Sequence, residues 1–243
     1  MLDTLSVALP LVLLAALLGG ALQSTLGFGA SFTLVPALAV LAPELLPGSV
    51  IVAIVPMSLL MIARDRRGFD VHAVGRVSLG RLPGIAAGGV VVAMLPLRWL
   101  TVAIAVILLG AVASVAGGWR LEVTRPREVA AGMVSGVTGT AAALGGPPLA
   151  LLYRESAGAV LRPTLAGVWL VGTLPVLLAL ALAGSLTGEQ ALAGTWLGAA
   201  MVAGLTVAAP AVARIDDRML RRLVLAWAGV GAVMALGRAV LGV

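Results

Sequence analysis

Gln23-Ser24-Thr25-Leu26-Gly27-Phe28-Gly29-Ala30-Ser31 interrupts an apolar region that covers about residues 5–41. One membrane-spanning helix needs roughly 20 apolar residues, so this region is too long for a single span. Its middle carries glycine and small polar side chains where a continuous helix would carry Leu and Val, a composition that favours an unwound break. A second stretch of the same kind, Thr138-Gly139-Thr140 through Gly145-Gly146-Pro147-Pro148, breaks the apolar region 129–153. Further apolar runs lie at residues 49–63, 82–95, 99–118, 164–183, 195–211 and 223–243. The chain therefore reads as an all-α polytopic membrane protein.

Composition agrees with that reading. Of 243 residues 61% are hydrophobic and 11% charged, and the mean hydropathy is +1.14, which leaves too little polar surface for a soluble globule. The chain has no Cys, Lys or Asn and a single His, His72. Disulfide frameworks, thiolate metal sites, a P-loop lysine and Asn-linked glycans are thereby excluded. His72 with Asp65 and Asp70 falls short of a metal constellation, and no cofactor is implied. The net charge of +6 rests on sixteen basic residues, all Arg and nearly all beside apolar runs; this is a topology signal, and no nucleic-acid partner is expected. Trp99, Trp119, Trp196 and Trp227 lie near the ends of runs and read as interfacial anchors, while Trp169 and Tyr153 have no evident place. The first residues carry Asp3 and no basic segment, unlike a cleaved signal peptide.

The two halves, 1–118 and 119–243, match element for element. Gly19 and Gly29 are ten apart, as are Gly136 and Gly146; Gln23 and Thr140 each stand six before the second glycine. Pro56 and Pro175 interrupt the run after each break, and Leu97-Arg98-Trp99-Leu100 is echoed by Leu220-Arg221-Arg222-Leu223. Such internal duplication is common in secondary transporters, whose substrate site lies between the repeats.

Charge predicts the relative orientation of the halves. The loop 64–81 carries Arg64, Arg66, Arg67, Arg76 and Arg81, whereas its counterpart loop, 184–194, carries none and holds Glu189. One loop later the bias reverses, with Arg98 alone against Arg214, Arg218, Arg221 and Arg222. Arg120, Arg125, Arg127, Arg154 and Arg162 likewise have no counterparts in the first half. If each broken segment enters and returns on one side, fourteen of the sixteen Arg fall on one face and only Arg98 and Arg238 on the other. The positive-inside rule then predicts two inverted repeats, each a broken or re-entrant helical hairpin plus three transmembrane helices, with both termini periplasmic. The alternative is eight spans in two parallel repeats.

Backbone that leaves the helix inside a bilayer survives only where protein or a water-filled cavity surrounds it. Helices that begin there aim free N–H groups and a partial positive charge into the cavity, which suits an anion. The residues expected to bind it are Gln23, Ser24, Thr25, Gly27, Gly29 and Ser31 at the first break. Their counterparts at the second are Thr138, Gly139, Thr140, Gly145, Gly146 and Pro147. Such a site needs no buried cation, and Arg81 and Arg238 are expected to snorkel to the interface. Small residues also line ordinary helix contacts, and Ser24, Ser31 and Thr138 have a second option, bonding carbonyls of the preceding turn. No Asp or Glu sits well inside an apolar run, so nothing points to proton coupling.

These residues carry a resemblance. The glycines from Gly19-Gly20 through Gly27-Phe28-Gly29 with Pro36, and Gly132, Gly136 and Gly139 through Gly145-Gly146-Pro147-Pro148, resemble the sulfite exporter TauE/SafE family. So does the Leu-Arg-x-Leu element before the last span of each half. Phe28 and Ala30 depart from the pattern, standing where more glycine is usual. The resemblance implies a transporter, not an enzyme, that exports sulfite or a small organosulfur or sulfonate anion across the bacterial inner membrane, held at the paired breaks. Expected partners are that anion and the lipid bilayer, and a homo-oligomer stays open. Competing readings are a transporter or channel for another small carboxylate anion and a non-transporting membrane partner subunit. An intramembrane enzyme fits poorly, because the spans hold no paired carboxylates, His cluster or Ser-Lys pair.

Overall fold

The computed structural model describes residues 2–26, 29–65, 68–117, 122–153, 158–212 and 214–241. Every regular element among them is helical. The first half contributes α1 (Leu2–Leu26), α2 (Ala30–Leu41), a 3-10 turn Pro43–Leu45, α3 (Gly48–Arg64), α4 (Val71–Met94) and α5 (Leu97–Ala116). The second contributes α6 (Arg125–Ala142), α7 (Gly146–Leu152), α8 (Gly158–Leu182) and α9 (Gly188–Ala203), followed by a π turn, Gly204–Ala208, α10 (Ala209–Val212) and α11 (Asp217–Leu241). Among the described residues five stretches are long and apolar enough to cross a membrane: Val71–Met94, Leu97–Ala116, Val160–Leu182, Gly188–Ala211 and Arg218–Leu241. Both expected interruptions are present, between α1 and α2 and between α6 and α7.

The sequence reading of residues 64–81 as a loop needs correction. Helix α4 starts at Val71, with the Asp70 side chain accepting hydrogen bonds from the His72 and Ala73 amides, both at 3.0 Å, the arrangement of a helix N-cap. Arg76 and Arg81 therefore lie within the helix. Hydropathy cut the span short because it counts arginine as solvent-facing, whereas both side chains here face protein. Glu128 lies in the first turn of α6 and is buried.

Small residues let the helices approach to backbone contact, the packing mode that serves where lipid removes any hydrophobic drive between helices. Gly80 and Gly84 on α4 abut the carbonyls of Val129 and Met133 on α6, and Gly132 and Gly136 abut those of Val77 and Arg81 in return. The register rises together, so α4 and α6 run in the same direction. Gly20 of α1 meets Met201 at the end of α9, and Gly204 meets Leu17. Gly194 and Gly198 of α9 pack on Ser49 and Ala53 of α3, again in parallel, and Gly167 and Gly172 of α8 pack on Val74 and Arg81 of α4. In contrast, α5 and α11 are antiparallel: the Arg98 guanidinium donates to the Ala239 and Val240 carbonyls at 2.8 and 2.9 Å.

The arginine-bearing helix ends meet at one end of the bundle. There Arg162 pairs with Asp65 at 3.5 Å, the Asp70 amide donates to Thr164 Oγ1 at 3.1 Å, and Arg64 donates to the Leu205 carbonyl at 3.1 Å. At the opposite end Gln190 donates to the Glu44 and Leu46 carbonyls, and Arg238 donates to the Val40 carbonyl. Arg238 thus sits near a helix terminus with its side chain exposed, as expected of a residue reaching for the interface.

Candidate functional site

Each break is built by local hydrogen bonds that turn the chain back on itself. At the first, Gln23 Oε1 accepts from the Ala30 amide at 3.1 Å, so the end of α1 caps the start of α2. Gly29 has φ 153°, a value strained for any residue with a side chain, and Thr33 returns against Gly19. At the second, Ala143 takes a left-handed conformation with φ 55°. Ser135 Oγ donates to the Gly145 carbonyl at 2.7 Å, and Thr138 Oγ1 stands 2.9 Å from the Leu144 carbonyl and 3.0 Å from that of Val134. Carbonyls released by unwinding are thereby satisfied inside the protein, as hydrocarbon requires.

Between the breaks lies a cavity of about 40 Å³. The first break contributes Gln23, Gly29 and Ser31; the second contributes Gly139, Ala143, Gly145, Gly146 and Pro147. Apolar walls come from Phe32, Ile51, Ile54 and Val176, and the remaining polar groups are Arg81 of α4 with Trp169 and Thr173 of α8. Seven of the twelve residues expected at the site line this cavity. Ser24 and Thr25 do not, because their hydroxyls bond the Ala21 and Leu22 carbonyls one turn back at 2.7 and 3.0 Å. Thr138 holds the turn, Thr140 is buried against Gly88 of α4, and Gly27 lies outside the described residues.

Arg81 is where the structure most changes the sequence reading. It does not snorkel: it is 4% exposed, and its guanidinium carbon lies 5.0 Å from the centroid of the Trp169 ring. Its Nε and Nη1 have no hydrogen-bond partner among the described residues, and neither has Trp169 Nε1. Gly172 makes room for the group, since a methyl there would stand 2.9 Å from the guanidinium carbon; a methyl at Gly139 would stand 3.6 Å from Nη2. Snorkelling is blocked because Arg81 sits eleven residues into a 24-residue helix, about 15 Å from its start at 1.5 Å per residue, and faces α6 and α8.

The helix termini, expected to supply the positive potential, contribute little. The Ala30 amide is taken by Gln23, and α7 opens Gly146-Pro147-Pro148, where two successive prolines have no N–H to donate. The charge at the cavity is the arginine's. Its sequence signal was an ionisable residue inside an apolar helix, a functional indicator in its own right.

A second polar cluster lies toward the arginine-bearing end. Glu128, 2% exposed, forms a two-point ion pair with Arg76 and accepts from the Tyr153 hydroxyl at 2.6 Å. This ties α4, α6 and the end of α7 together and gives Tyr153 its place.

A family model described as Sulfite exporter TauE/SafE matches residues 12–235 of the chain. No curated protein and no solved structure matches it.

Proposed function

We propose that this chain, which belongs to the sulfite exporter TauE/SafE family, exports sulfite or a small organosulfur or sulfonate anion, held between the two helix breaks against Arg81. The observation that carries the reading is a buried guanidinium at the wall of a small cavity, two of whose nitrogens have no hydrogen-bond partner among the described residues. An uncompensated buried charge costs several kcal/mol, and a compact oxyanion would compensate it through charge-assisted hydrogen bonds. The cavity size suits a species of a few heavy atoms, given that one water needs about 10–15 Å³ in such a volume.

The helix directions support two inverted repeats, 1–118 and 119–243. Contacts between α4 and α6 are answered by contacts between α9 and α1, and those between α3 and α9 by those between α8 and α4. Such reciprocity is expected of a pseudo-two-fold axis. The antiparallel pairing of α5 with its counterpart α11 supports opposed halves over parallel repeats. With arginine-bearing ends gathered on one face, the positive-inside rule makes that face cytoplasmic and both termini periplasmic. Outward movement of one negative charge gains about 2.3 kcal/mol per 100 mV of inside-negative potential, so export needs no coupled ion.

The test is sulfite efflux from proteoliposomes under an imposed potential, with sulfate, thiosulfate, sulfoacetate and lactate as competitors. Potential-driven sulfite flux that Arg81→Gln lowers by about 10–100-fold supports the reading. No flux of any anion from folded protein overturns it, and preferred competition by lactate moves the assignment to carboxylates.

A further inference from the structure

Arg81 also lines a second cavity. On the outer side of α4 and α8 lies an open groove of about 280 Å³, formed by Gly75, Leu79, Leu82, Val171, Gly172 and Pro175, with Ser78 and Arg81 beside them. Its volume approaches that of small-molecule sites, about 300–1,000 Å³, and is several times that of the cavity between the breaks. Leu79, Leu82 and Val171 are more than half exposed, so the groove opens toward the bilayer. Ser78 Oγ is buried and without a partner among the described residues, as are Nε and Nη1 of Arg81. An apolar trough with an unsatisfied cation and hydroxyl on its wall is complementary to a ligand with both characters.

We propose that this groove receives the aliphatic tail of a single-chain anionic amphiphile whose head sits against Arg81. The substrate class would then extend from compact anions to sulfonates bearing an unbranched alkyl chain. The inference rests on Arg81 being the anion site. A neutral acyl chain alone would leave the guanidinium and hydroxyl unsatisfied. A bilayer phospholipid cannot supply its phosphate, because headgroups lie at the membrane surface and Arg81 lies about 15 Å along α4. A single-chain anion has neither limitation. Gly75 makes the trough open: a methyl there would meet nothing within 4 Å, so a larger side chain can fill the groove without clashing.

The experiment measures inhibition of sulfite efflux by n-alkanesulfonates from methane- to octanesulfonate, at matched free aqueous concentration, for the wild type and Gly75→Leu. Full burial of a methylene is worth about 0.8 kcal/mol, or fourfold in affinity. In the half-open groove octanesulfonate is expected to inhibit at a concentration at least about tenfold below methanesulfonate. Gly75→Leu should remove most of that ratio, which is read within each variant and so is independent of its basal flux. Equal ratios in both proteins overturn the proposal. In a second arm, an octanesulfonate analogue with a terminal diazirine is photolysed with wild-type protein. Adducts at Leu79, Leu82 or Val171 that excess octanesulfonate suppresses support the groove; adducts elsewhere, or unsuppressed adducts, overturn it. This arm needs no transport. Competed labelling without any sulfite flux would therefore fault the export reading and not the groove.

Discussion

The Arg81 guanidinium stacks over the Trp169 indole at 5.0 Å, joining α4 of the first half to α8 of the second beside both helix breaks. The aromatic face offers some compensation to a buried cation, about 2 kcal/mol when desolvated, but no hydrogen-bond acceptor. The pair therefore keeps the charge inside the protein without neutralising it.

Replacing Arg81 separates function from stability. Arg81→Gln should lower sulfite flux by about 10–100-fold, the worth of one or two hydrogen bonds to a charged group. Arg81→Met should abolish flux while leaving the thermal midpoint in detergent unchanged or raised, because apolar replacement of poorly compensated buried charge is often stabilising. A marked fall in the midpoint for Arg81→Met would identify a structural arginine instead.

Gly172→Ala should act on the same charge from a distance of one methyl group. The new carbon would stand 2.9 Å from the guanidinium carbon, closer than real contacts allow, so the side chain must move off Trp169. Flux is expected to fall by roughly tenfold, the effect of losing about 1.4 kcal/mol of binding at the site. Gly110→Ala, where a methyl meets nothing within 4 Å, is the matched control and should transport normally.

The Glu128 cluster predicts a stability effect. Glu128→Gln removes the carboxylate from a pair whose Glu128 side is buried while the Arg76 side chain keeps 32% of its surface exposed; it should lower the unfolding midpoint, by less than the loss of a fully buried pair because water still reaches the guanidinium. The double variant Arg76→Gln/Glu128→Gln should lose less than the sum of the two single changes. Thermal or denaturant unfolding in detergent measures both, and strict additivity would show that the pair does not couple.

Much of this architecture is legible in the sequence because its signals are local. The breaks are written in Gly29 and in Gly145-Gly146-Pro147-Pro148, and the helices in apolar run length. The site is only half legible, for reasons that are three-dimensional. Whether Ser24, Thr25 and Thr138 face a cavity or a carbonyl depends on side-chain direction, and in each case a nearby carbonyl is bonded. Arg81 was misread because hydropathy places an arginine in water by default, whereas only the packing of α4 on α6 and α8 shows that its guanidinium is held within the protein against Trp169. Gly132 and Gly136, which help carry the resemblance, serve helix packing.

Orientation is open to a clean test because the chain has no cysteine of its own. Ser185 follows α8 beside the Arg-poor end, and Asp216 precedes α11 beside the Arg-rich end. If the halves are inverted and the Arg-rich face is cytoplasmic, Ser185→Cys in intact cells should react with a membrane-impermeant maleimide added outside. Asp216→Cys, at an exposed position, should react only after the membrane is permeabilised. The contrast is informative because the two sites lie in consecutive connections flanking α9, so one crossing separates them. Labelling of both from the same side would mean that α9 does not span, and reversed labelling would place the Arg-rich face outside and the termini in the cytoplasm, overturning the positive-inside assignment.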